Sequence, residues 1–246
     1  MPRSKRSKIV SLTKVSKKTR EHKHALMEEV KSNLDKWRYC WLFEVGNMRN
    51  THLKTVRKLW KDSARIIFGR AAVMAKALGT TPEEECKQGV HQLAQNLKGQ
   101  VGLLFTDSSP QEVMEWFEDF KQLDFARAGN VATKIIVLPA GPVMRRHADP
   151  PEPFPHSEEP QLRKLGLSTF MNKGVPSLHN PHQVCEEGKA LTSEQAQLLK
   201  LLGEKMVEFR VGLVMRYDSI TFEVEKIEGK RVSEEEKGEA DEETSE

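Results

Sequence analysis

Residues 39–61 read YCWLFEVGNMRNTHLKTVRKLWK, and this stretch predicts a strand, a loop and a helix in succession. The segment YCWLFEV is short and almost continuously apolar, which is typical of a strand that is buried on both faces. A short loop, GNMR, follows it. The apolar residues after the loop recur at the three-to-four spacing of a core-facing helix stripe: Leu53, Val56 and Trp60, with Leu59 beside them.

The polar residues of the same helix form a second stripe, which is cationic. Its members follow one another at i, i+3, i+4 and i+7: Lys54, Arg57, Lys58 and Lys61. Like charges at such spacings destabilise an isolated helix by about 0.2–0.5 kcal/mol per pair. A helix that carries them without an acidic partner is typical of a surface that binds a polyanion, although a solvated lysine face has the same pattern.

The alternation of strands and helices continues beyond this stretch and predicts an α/β fold. Short apolar runs at 64–68 and 101–105 indicate two more buried strands. Helices are expected at four further places: up to about residue 37, and at 71–78, 82–97 and 110–120. This alternation predicts a parallel or mixed sheet layered with helices and joined by right-handed crossovers.

The texture of the sequence changes after about Asn130. Seven of the twelve prolines lie within residues 139–160, a density that predicts a loop or linker without regular structure. The segment TSEQAQLLKLLG has strong helix-end signals: the N-cap Thr192, its capping-box partner Gln195, and Gly203 after the last turn. Weaker patterns predict a short helix at 159–166 and strands at 134–138, 174–178, 208–215 and 221–224.

Charge is distributed unevenly along the chain. Residues 1–24 carry nine Lys or Arg against one Glu, whereas residues 229–246 carry three against eight Asp or Glu. The first segment is a basic arm, typical of a nuclear-localisation signal, an RNA-binding arm or both, and also of a solubilising tail. The acidic last segment has little apolar content and is expected to be disordered. The asymmetry points to a polyanion that contacts the N-terminal third.

Cysteine usage and the absence of sorting signals predict the compartment. The three cysteines, Cys40, Cys86 and Cys185, are far apart and form no CxxC motif, which favours a reducing environment. The N-terminus lacks the apolar core of a secretory signal. No apolar run approaches the roughly 20 residues that span a bilayer. We therefore expect a nuclear or cytosolic protein without a membrane partner.

Sequence motifs of enzymes are absent, including phosphate-binding glycine loops, nucleophile elbows and HExxH. Two histidine pairs have spacings that would allow them to share a metal, but neither has a Cys or carboxylate at a recognised spacing: His22 with His24, and His179 with His182. Three scattered carboxylates suggest no acid–base pair: Asp62, Asp107 and Asp124. Four tryptophans sit on apolar stripes and are expected in the core: Trp37, Trp41, Trp60 and Trp116. We expect no catalytic residue, metal or cofactor.

Two short loops support a binding hypothesis. Residues 46–49 follow the first strand and residues 69–70 follow the second, so both lie at carboxyl ends of strands and at helix starts. That edge of an α/β sheet is where ligands bind, and helix N-termini offer free N–H groups to phosphate. With Arg49, Arg70 and the cationic stripe, it is a candidate surface for an RNA backbone. Turn chemistry with solvated arginines is the alternative.

Several longer motifs follow one another in a specific order: PRSKRSKIVSLTKVSKK at 2–18, VGNMRN at 45–50, IFGRAAVM at 67–74, GQVGLLFT at 99–106, DFARAGN at 124–130, FPHSEEPQLRKLGLSTFMNKG at 154–174 and VCEEGKALTSEQAQLLKLLG at 184–203. In this series the chain resembles the eukaryotic ribosome assembly factors called mRNA turnover protein four, paralogues of the acidic ribosomal stalk-base protein of the L-ten family. The resemblance extends to about Tyr217.

The resemblance implies a divided architecture. A layered α/β rRNA-binding domain would comprise residues 25–130 and 205–228, and a small α+β domain at 131–204 would be inserted into it. The basic arm at 1–24 and the disordered acidic tail at 229–246 would flank this unit. The change of texture at Asn130 fits the first boundary.

The resemblance also implies a function in ribosome biogenesis without catalysis. The family binds the stalk-base region of large-subunit rRNA in pre-ribosomes and holds that site until the mature stalk protein replaces it. Its implied partners are this rRNA, the pre-ribosomal large subunit, a neighbouring stalk-base ribosomal protein and a phosphatase-like release factor. The implied location is the nucleolus and nucleus, with shuttling to the cytoplasm.

The RNA-contacting loops of the family correspond to eight residues here: Asn47, Met48, Arg49, Asn50, Lys54, Arg57, Gly69 and Arg70. The cationic stripe adds Lys58 and Lys61. The family often has Gly-Lys-Asn where this chain has Gly69-Arg70-Ala71. Arg70 keeps the positive charge, but Ala71 lacks the amide, so no hydrogen bond from that amide is expected.

Other functions stay open at this point. The stalk-base protein itself would need helices that recruit the small acidic stalk proteins and an apolar tip for translational GTPases. After Phe209 only a short segment follows, and its end, SEEEKGEADEETSE, has no Phe or Leu. We therefore expect no small acidic stalk proteins as partners. A general RNA-binding protein, a protein-interaction module and an enzyme with a pocket at the 46–49 and 69–70 edge are the remaining alternatives.

Overall fold

The computed structural model describes residues 20–147 and 150–227. The basic arm lies outside the described residues except for 20–24, and the acidic tail lies entirely outside them. The α-helices are α1 (Arg20–Lys36), α2 (Asn50–Leu59), α3 (Ala71–Leu78), α4 (His91–Gln95), α5 (Pro110–Asp119), α6 (Glu159–Lys164) and α7 (Ser193–Leu202). The strands are β1 (Tyr39–Gly46), β2 (Ala64–Ile67), β3 (Val101–Thr106), β4 (Gln122–Asp124), β5 (Ile136–Leu138), β6 (Gly141–Pro142), β7 (Met144–Arg145), β8 (Glu152–Pro153), β9 (Thr169–Asn172), β10 (Val175–Leu178), β11 (His182–Cys185), β12 (Val207–Asp218) and β13 (Val224–Lys226).

The main sheet has the strand order β13-β12-β1-β3-β2, and β4 pairs with the start of β12. The prediction of a parallel or mixed sheet is wrong, because every pairing described in this sheet is antiparallel. The reason is that β3 inserts between β1 and β2. Both of these strands are antiparallel to β3, so they run in the same direction without being neighbours.

Helices cover both faces of the sheet, which confirms the predicted layered α/β class. Side chains alternate along β1, as the two-residue period of a strand requires. Cys40 and Leu42 face a core built with α1, α3 and α4. Trp41 and Phe43 face the opposite core, built with α2 and α5. Every residue of β1 is buried, so the prediction of a strand covered on both faces is confirmed.

The aromatic cluster on the α2 and α5 face accounts for most of the tryptophans. The Trp60 ring stacks on Phe117 at 5.7 Å between centroids and meets Trp116 edge to face at 5.3 Å. Trp41 and Trp60 are buried, and Trp37 and Trp116 pack partly buried against the two cores. The prediction that the four tryptophans belong to the core is confirmed.

The predicted helix at 82–97 is wrong over most of its length. Only α4 is helical there, and the residues before it form successive turns. Gly89 adopts a φ of 82°, a left-handed conformation that interrupts a right-handed helix. The predicted helix at 50–61 ends at Leu59, and this side chain is 61% exposed rather than part of the core stripe.

Outside the α/β domain and its two cores lies a separate hydrophobic core, termed the second core, which is built from residues between 126 and 207. Around it lie α6, α7 and small antiparallel sheets in the orders β6-β10-β9, β11-β5 and β7-β8. The prediction that residues 139–160 contain no regular structure is wrong, because β6, β7 and β8 lie there. Prolines are tolerated because these strands are two residues long and lie at sheet edges, where a missing N–H costs little.

Helix α7 has the predicted ends. The Thr192 hydroxyl accepts a hydrogen bond from the Gln195 backbone N–H at 3.2 Å, and the Gln195 side chain accepts one from the Thr192 N–H at 2.9 Å. Gly203 follows the helix with a φ of 90°. The capping-box prediction is confirmed.

Two paired strands, β4 and β12, join the α/β domain to the second core. Strand β4 leads out of the α/β domain, and β12 returns beside it with Val207 opposite Asp124. Val207 belongs to the second core, whereas Phe209 and Val211 belong to the core under α2 and α5. The same strand contributes Met215 and Tyr217 to the core under α1 and α3, so one continuous strand belongs to the second core and to both cores of the α/β domain.

Candidate RNA-binding surface

The loops at 46–49 and 68–70 lie at the same edge of the main sheet. Strands β1 and β2 run in the same direction because each pairs antiparallel with β3. Each loop then leads into a helix, α2 on one face and α3 on the other. Two strand spacings of about 4.8 Å separate the loops by about 10 Å. The prediction of a parallel sheet is wrong, but the two loops still lie at the same end of the sheet, as that prediction implied.

Both helices begin without a side-chain cap. The N-cap residues are Arg49 for α2 and Arg70 for α3, and neither side chain accepts a hydrogen bond from the first turn. Neither first turn contains an acidic residue. The positive end of each helix dipole and the first-turn N–H groups without a carbonyl partner are therefore available to an anion, although in α3 the Val73 N–H already donates to the Arg70 carbonyl.

The cationic stripe of α2 faces outward, as its spacing predicts. Leu53 and Val56 are 3% and 0% exposed, and they anchor the helix on the sheet. The four basic side chains lie on the exposed side: Lys54, Arg57, Lys58 and Lys61. Asn50 and Arg70 are also exposed and extend the positive surface to the edge where α2 and α3 begin.

Other predicted contact residues hold the 46–49 loop in place. The Arg49 Nε lies 2.9 Å from the Asp124 carboxylate, and its Nη2 donates to the Phe125 carbonyl at 2.9 Å. The His52 ring meets the same carboxylate at 3.2 Å. Asp124 therefore has a structural role that sequence reasoning missed, since its partners lie more than 70 positions away along the chain.

The remaining loop residues are fastened in a similar way. Asn47 has a φ of 48°, donates from its amide to the Glu208 carbonyl at 3.0 Å and accepts from the Asn130 amide at 2.9 Å. The Met48 carbonyl accepts from the Arg127 guanidinium at 2.7 Å. The segment DFARAGN thus fixes the shape of the loop VGNMRN. The order of these two motifs in the sequence was visible, but their contact was not.

The second loop is shaped by close packing. A side chain at Gly69 would place its Cβ 2.9 Å from Leu26 Cδ2, so glycine allows α1 to approach. Ala71, where the family often has asparagine, packs partly buried against the core under α1 and α3. The methyl group at this position therefore faces protein, and the exposed charge at the loop comes from Arg70.

Sequence reasoning also missed Arg65 and Glu29. Arg65 is the exposed residue of β2, and its guanidinium forms an ion pair with Glu29 of α1. Partial burial lowers the pKa of Arg57, the nearby Arg65 lowers it further, and Glu29 opposes both. Two guanidinium groups therefore lie close enough to repel one another beside a single carboxylate.

Within the ranges 20–147 and 150–227, no three His, Cys, Asp or Glu side chains come together as a metal site. The His179 ring is stacked on Phe170, with 3.8 Å between centroids. In the same ranges, no helix is long and apolar enough to cross a membrane.

Two family models match adjoining parts of the chain. Residues 18–122 match the family described as ribosomal protein L10, and residues 126–203 match the family described as the insertion domain in the 60S ribosomal protein of that type. The residues between the two matches lie in and beside β4, where the chain passes from one core to the other.

Curated relatives match most of the chain. The ribosome assembly factor mrt4 of Schizosaccharomyces pombe is 49% identical over 221 residues, which cover 88% of this chain and 91% of the relative. The ribosome assembly factor MRT4 of Saccharomyces cerevisiae is 37% identical over 230 residues, covering 92% and 97%. The large ribosomal subunit protein uL10 of Thermococcus sibiricus is 26% identical over 198 residues, covering 80% and 56%. The chain therefore belongs to the Mrt4 family of ribosome assembly factors, which is related to the ribosomal protein uL10.

Proposed function

We propose that this assembly factor binds the stalk-base region of large-subunit rRNA in the pre-ribosomal large subunit and occupies it until the mature stalk-base protein takes its place. The observation that carries the proposal is the basic edge of the α/β domain. There, two uncapped helix N-termini lie beside Arg70 and the outward cationic stripe of α2. The relation to uL10 supports the stalk base as the RNA that this edge meets.

The proposed mechanism is competition for one RNA surface. Two proteins that share the same RNA-binding fold cannot contact the same phosphates at once, so exchange requires release of the first. The cations supply affinity that weakens with salt, with a log–log slope of about −0.7 to −0.9 per phosphate contacted. The fastened loop 46–49 supplies a fixed shape, which suits recognition of folded RNA.

The predicted contact residues divide into two roles in this proposal. Asn50, Lys54, Arg57, Lys58, Lys61 and Arg70 contact the RNA directly. Asn47 and Arg49 act through the shape of the loop, because their side chains are hydrogen-bonded to protein. Met48, which packs against the core under α2 and α5, and Gly69, which lets α1 approach, support their loops from the protein side.

The rest of the functional proposal follows the family. The chain has no catalytic activity and works in the nucleolus and nucleus, from which it shuttles to the cytoplasm. Residues 25–130 and 205–228 form the RNA-binding domain, and 131–204 form the inserted domain. Its protein partners are a neighbouring stalk-base ribosomal protein and a phosphatase-like release factor. The small acidic stalk proteins are not partners.

Crosslinking and sequencing of RNA bound to the tagged protein in its own cells tests the proposal. We expect a sharp peak in the stalk-base segment of large-subunit rRNA, on particles that lack the mature stalk protein. Diffuse signal over many RNAs would reduce the protein to a general RNA binder. Partner capture that survives ribonuclease, without any RNA peak, would assign it to protein interaction instead.

A further inference from the structure

A groove of about 380 Å³ runs beside β2, the outermost strand at one side of the main sheet. Leu26 and Glu29 of α1 line one side of it. The other side is lined by Arg57 of α2 and by Lys61, which follows that helix. The strand itself and Phe68 form the floor. The groove therefore has a charged rim beside the outermost strand of the sheet.

The rim carries more positive than negative charge. Three cations line the groove, Arg57, Lys61 and Arg65, against the single carboxylate of Glu29. One oxygen of Glu29 accepts from both Nε and Nη2 of Arg65. Partial burial lowers the pKa of Arg57, and charge repulsion from the nearby Arg65 lowers it further. One carboxylate leaves this repulsion only partly balanced.

The geometry of the Glu29 contact indicates what else would fit. The Nε–Nη2 side of an arginine is the fork that binds carboxylate and phosphate oxygens. A phosphodiester offers two such oxygens with a full negative charge, so it can accept from Arg65 and meet a second cation at the same time. Among the ion pairs of the described residues, Glu29 meets Arg65 and neither Arg57 nor Lys61, so two of the three cations of the groove remain for an incoming phosphate.

We propose that the groove binds a phosphodiester group of the RNA backbone between Arg57, Lys61 and Arg65, and that this phosphate displaces Glu29 from Arg65. The inference rests on the proposed function, because it names a second contact region of the same RNA. Arg57 and Lys61 belong both to the groove and to the outward stripe of α2. An RNA strand that follows the stripe therefore reaches the groove without leaving the positive surface.

An acidic protein segment is the competing occupant of such an edge. Strand β2 has four residues and a charged side chain in its centre, and both features disfavour pairing with an added strand. Most of the positive charge lies on side chains at the rim rather than on the strand backbone. These observations favour a backbone of phosphates over an extended peptide.

Opposite substitutions in one ion pair test the proposal. The probe is a transcribed fragment of large-subunit rRNA that contains the stalk base, titrated with the full chain at several salt concentrations. We expect Arg65→Gln to weaken binding about tenfold and to reduce the salt slope by about 0.7–0.9, the value for one phosphate contact. We expect Glu29→Gln to tighten binding about threefold, because it frees Arg65 and removes a negative charge. Both residues are more than a third exposed, so the fold should persist.

The exposed ion pair between Lys189 and Glu186, which lie between β11 and α7, supplies the matched control. Lys189→Gln and Glu186→Gln make the same charge changes away from the groove, and each should alter affinity less than twofold. If Glu186→Gln tightens binding as much as Glu29→Gln, net charge explains the effect and the proposal fails. It also fails if Arg65→Gln causes self-association while affinity and salt slope stay unchanged, since Arg65 would then only protect the sheet edge.

Two further results distinguish a phosphate site in the groove from an acidic protein segment and from a failure of the proposed function. The first result concerns a synthetic peptide of residues 229–246. If the wild-type protein binds this peptide and the Arg65→Gln variant does not, while the variant keeps full RNA affinity, the groove binds an acidic protein segment. Wild-type protein that does not bind the rRNA fragment would overturn the proposed function itself. Wild-type binding that depends on Lys54 but not on Arg65 or Glu29 would overturn only the phosphate site in the groove.

Discussion

Helices α2 and α7 are both ten residues long, but their ends are built differently. Helix α7 begins with a complete capping box and Glu194 in its first turn, and it ends at a left-handed glycine. Helix α2 has no side-chain cap, no acid in its first turn and three outward cations, and Lys61 just after the helix extends their stripe. Both helices bury an apolar face, but capping interactions stabilise only α7 in addition, so α2 depends on the burial of Leu53 and Val56.

The same difference separates α3 from α5. Helix α5 begins with Ser109, whose hydroxyl accepts from the Glu112 N–H, and with proline in its first turn. Helix α3 begins with Arg70 and has neither feature. Within the α/β domain, α2 and α3 start at the proposed RNA edge without a side-chain cap, and the short helix α4 lacks one elsewhere. A side-chain cap and a bound anion both accept hydrogen bonds from the first-turn N–H groups of a helix. A helix that is capped by its own side chain therefore has fewer free N–H groups for an anion.

The largest expected effect is on stability, in the second core. Leu199 of α7 is 1% exposed, and Leu199→Ala should lower the free energy of unfolding by about 3–5 kcal/mol, because it leaves a cavity. Chemical denaturation measures this change, and RNA titration of the folded variant should give wild-type affinity. A large loss of RNA affinity with the fold intact would show that the inserted domain contributes to the RNA-binding surface.

The next effect is on RNA binding, in α2. Lys54→Glu combined with Arg57→Glu should weaken rRNA binding by at least about a hundredfold, because two cations on the outward stripe become repulsive to phosphate. Lys189→Glu combined with Lys200→Glu makes the same charge change on exposed residues in and just before α7 and should have a small effect. Thermal unfolding should be nearly unchanged in both variants. If the variant with Lys54→Glu and Arg57→Glu binds rRNA with wild-type affinity and salt slope, the α2 stripe is not part of the RNA-binding surface.

The smallest effects come from exchanging the two kinds of helix start. Arg70→Asp supplies an N-cap to α3 and should stabilise the fold by about 1 kcal/mol while weakening RNA binding about tenfold. Thr192→Ala removes the cap of α7 and should cost about 1 kcal/mol without changing RNA affinity. Denaturation and RNA titration of both variants measure the pair of changes. If Arg70→Asp leaves RNA binding intact, the uncapped start of α3 does not contribute to the site.

Local patterns in the sequence predicted the features that depend on near neighbours. The capping box of α7, the two-sided burial of β1 and the outward stripe of α2 all follow from spacings within one element. The direction of the sheet did not, because it depends on β3 entering between two strands that precede it. The turns before α4 were missed because the left-handed Gly89 leaves no clear mark in the periodicity.

The candidate site shows the same limit. Its cations could be named from the sequence, and the structure places the α2 stripe outward. The fastening of the 46–49 loop by Asp124, Arg127 and Asn130 could not be predicted, because the partners lie about 75–85 positions apart and their pairing depends on the junction of the two cores. Arg65 was missed because it is a single charge within an apolar strand, where it gives no helical pattern.

The continuity of β12 across the junction has a mechanical consequence. The strand starts in the second core at Val207 and continues along β1 to Asp218, opposite Tyr39. A load applied to the inserted domain along this strand would therefore act as shear between β12 and β1. In shear, the hydrogen bonds between β12 and β1 share the load instead of breaking one at a time. We therefore expect the connection between the inserted domain and the sheet to resist force applied along β12.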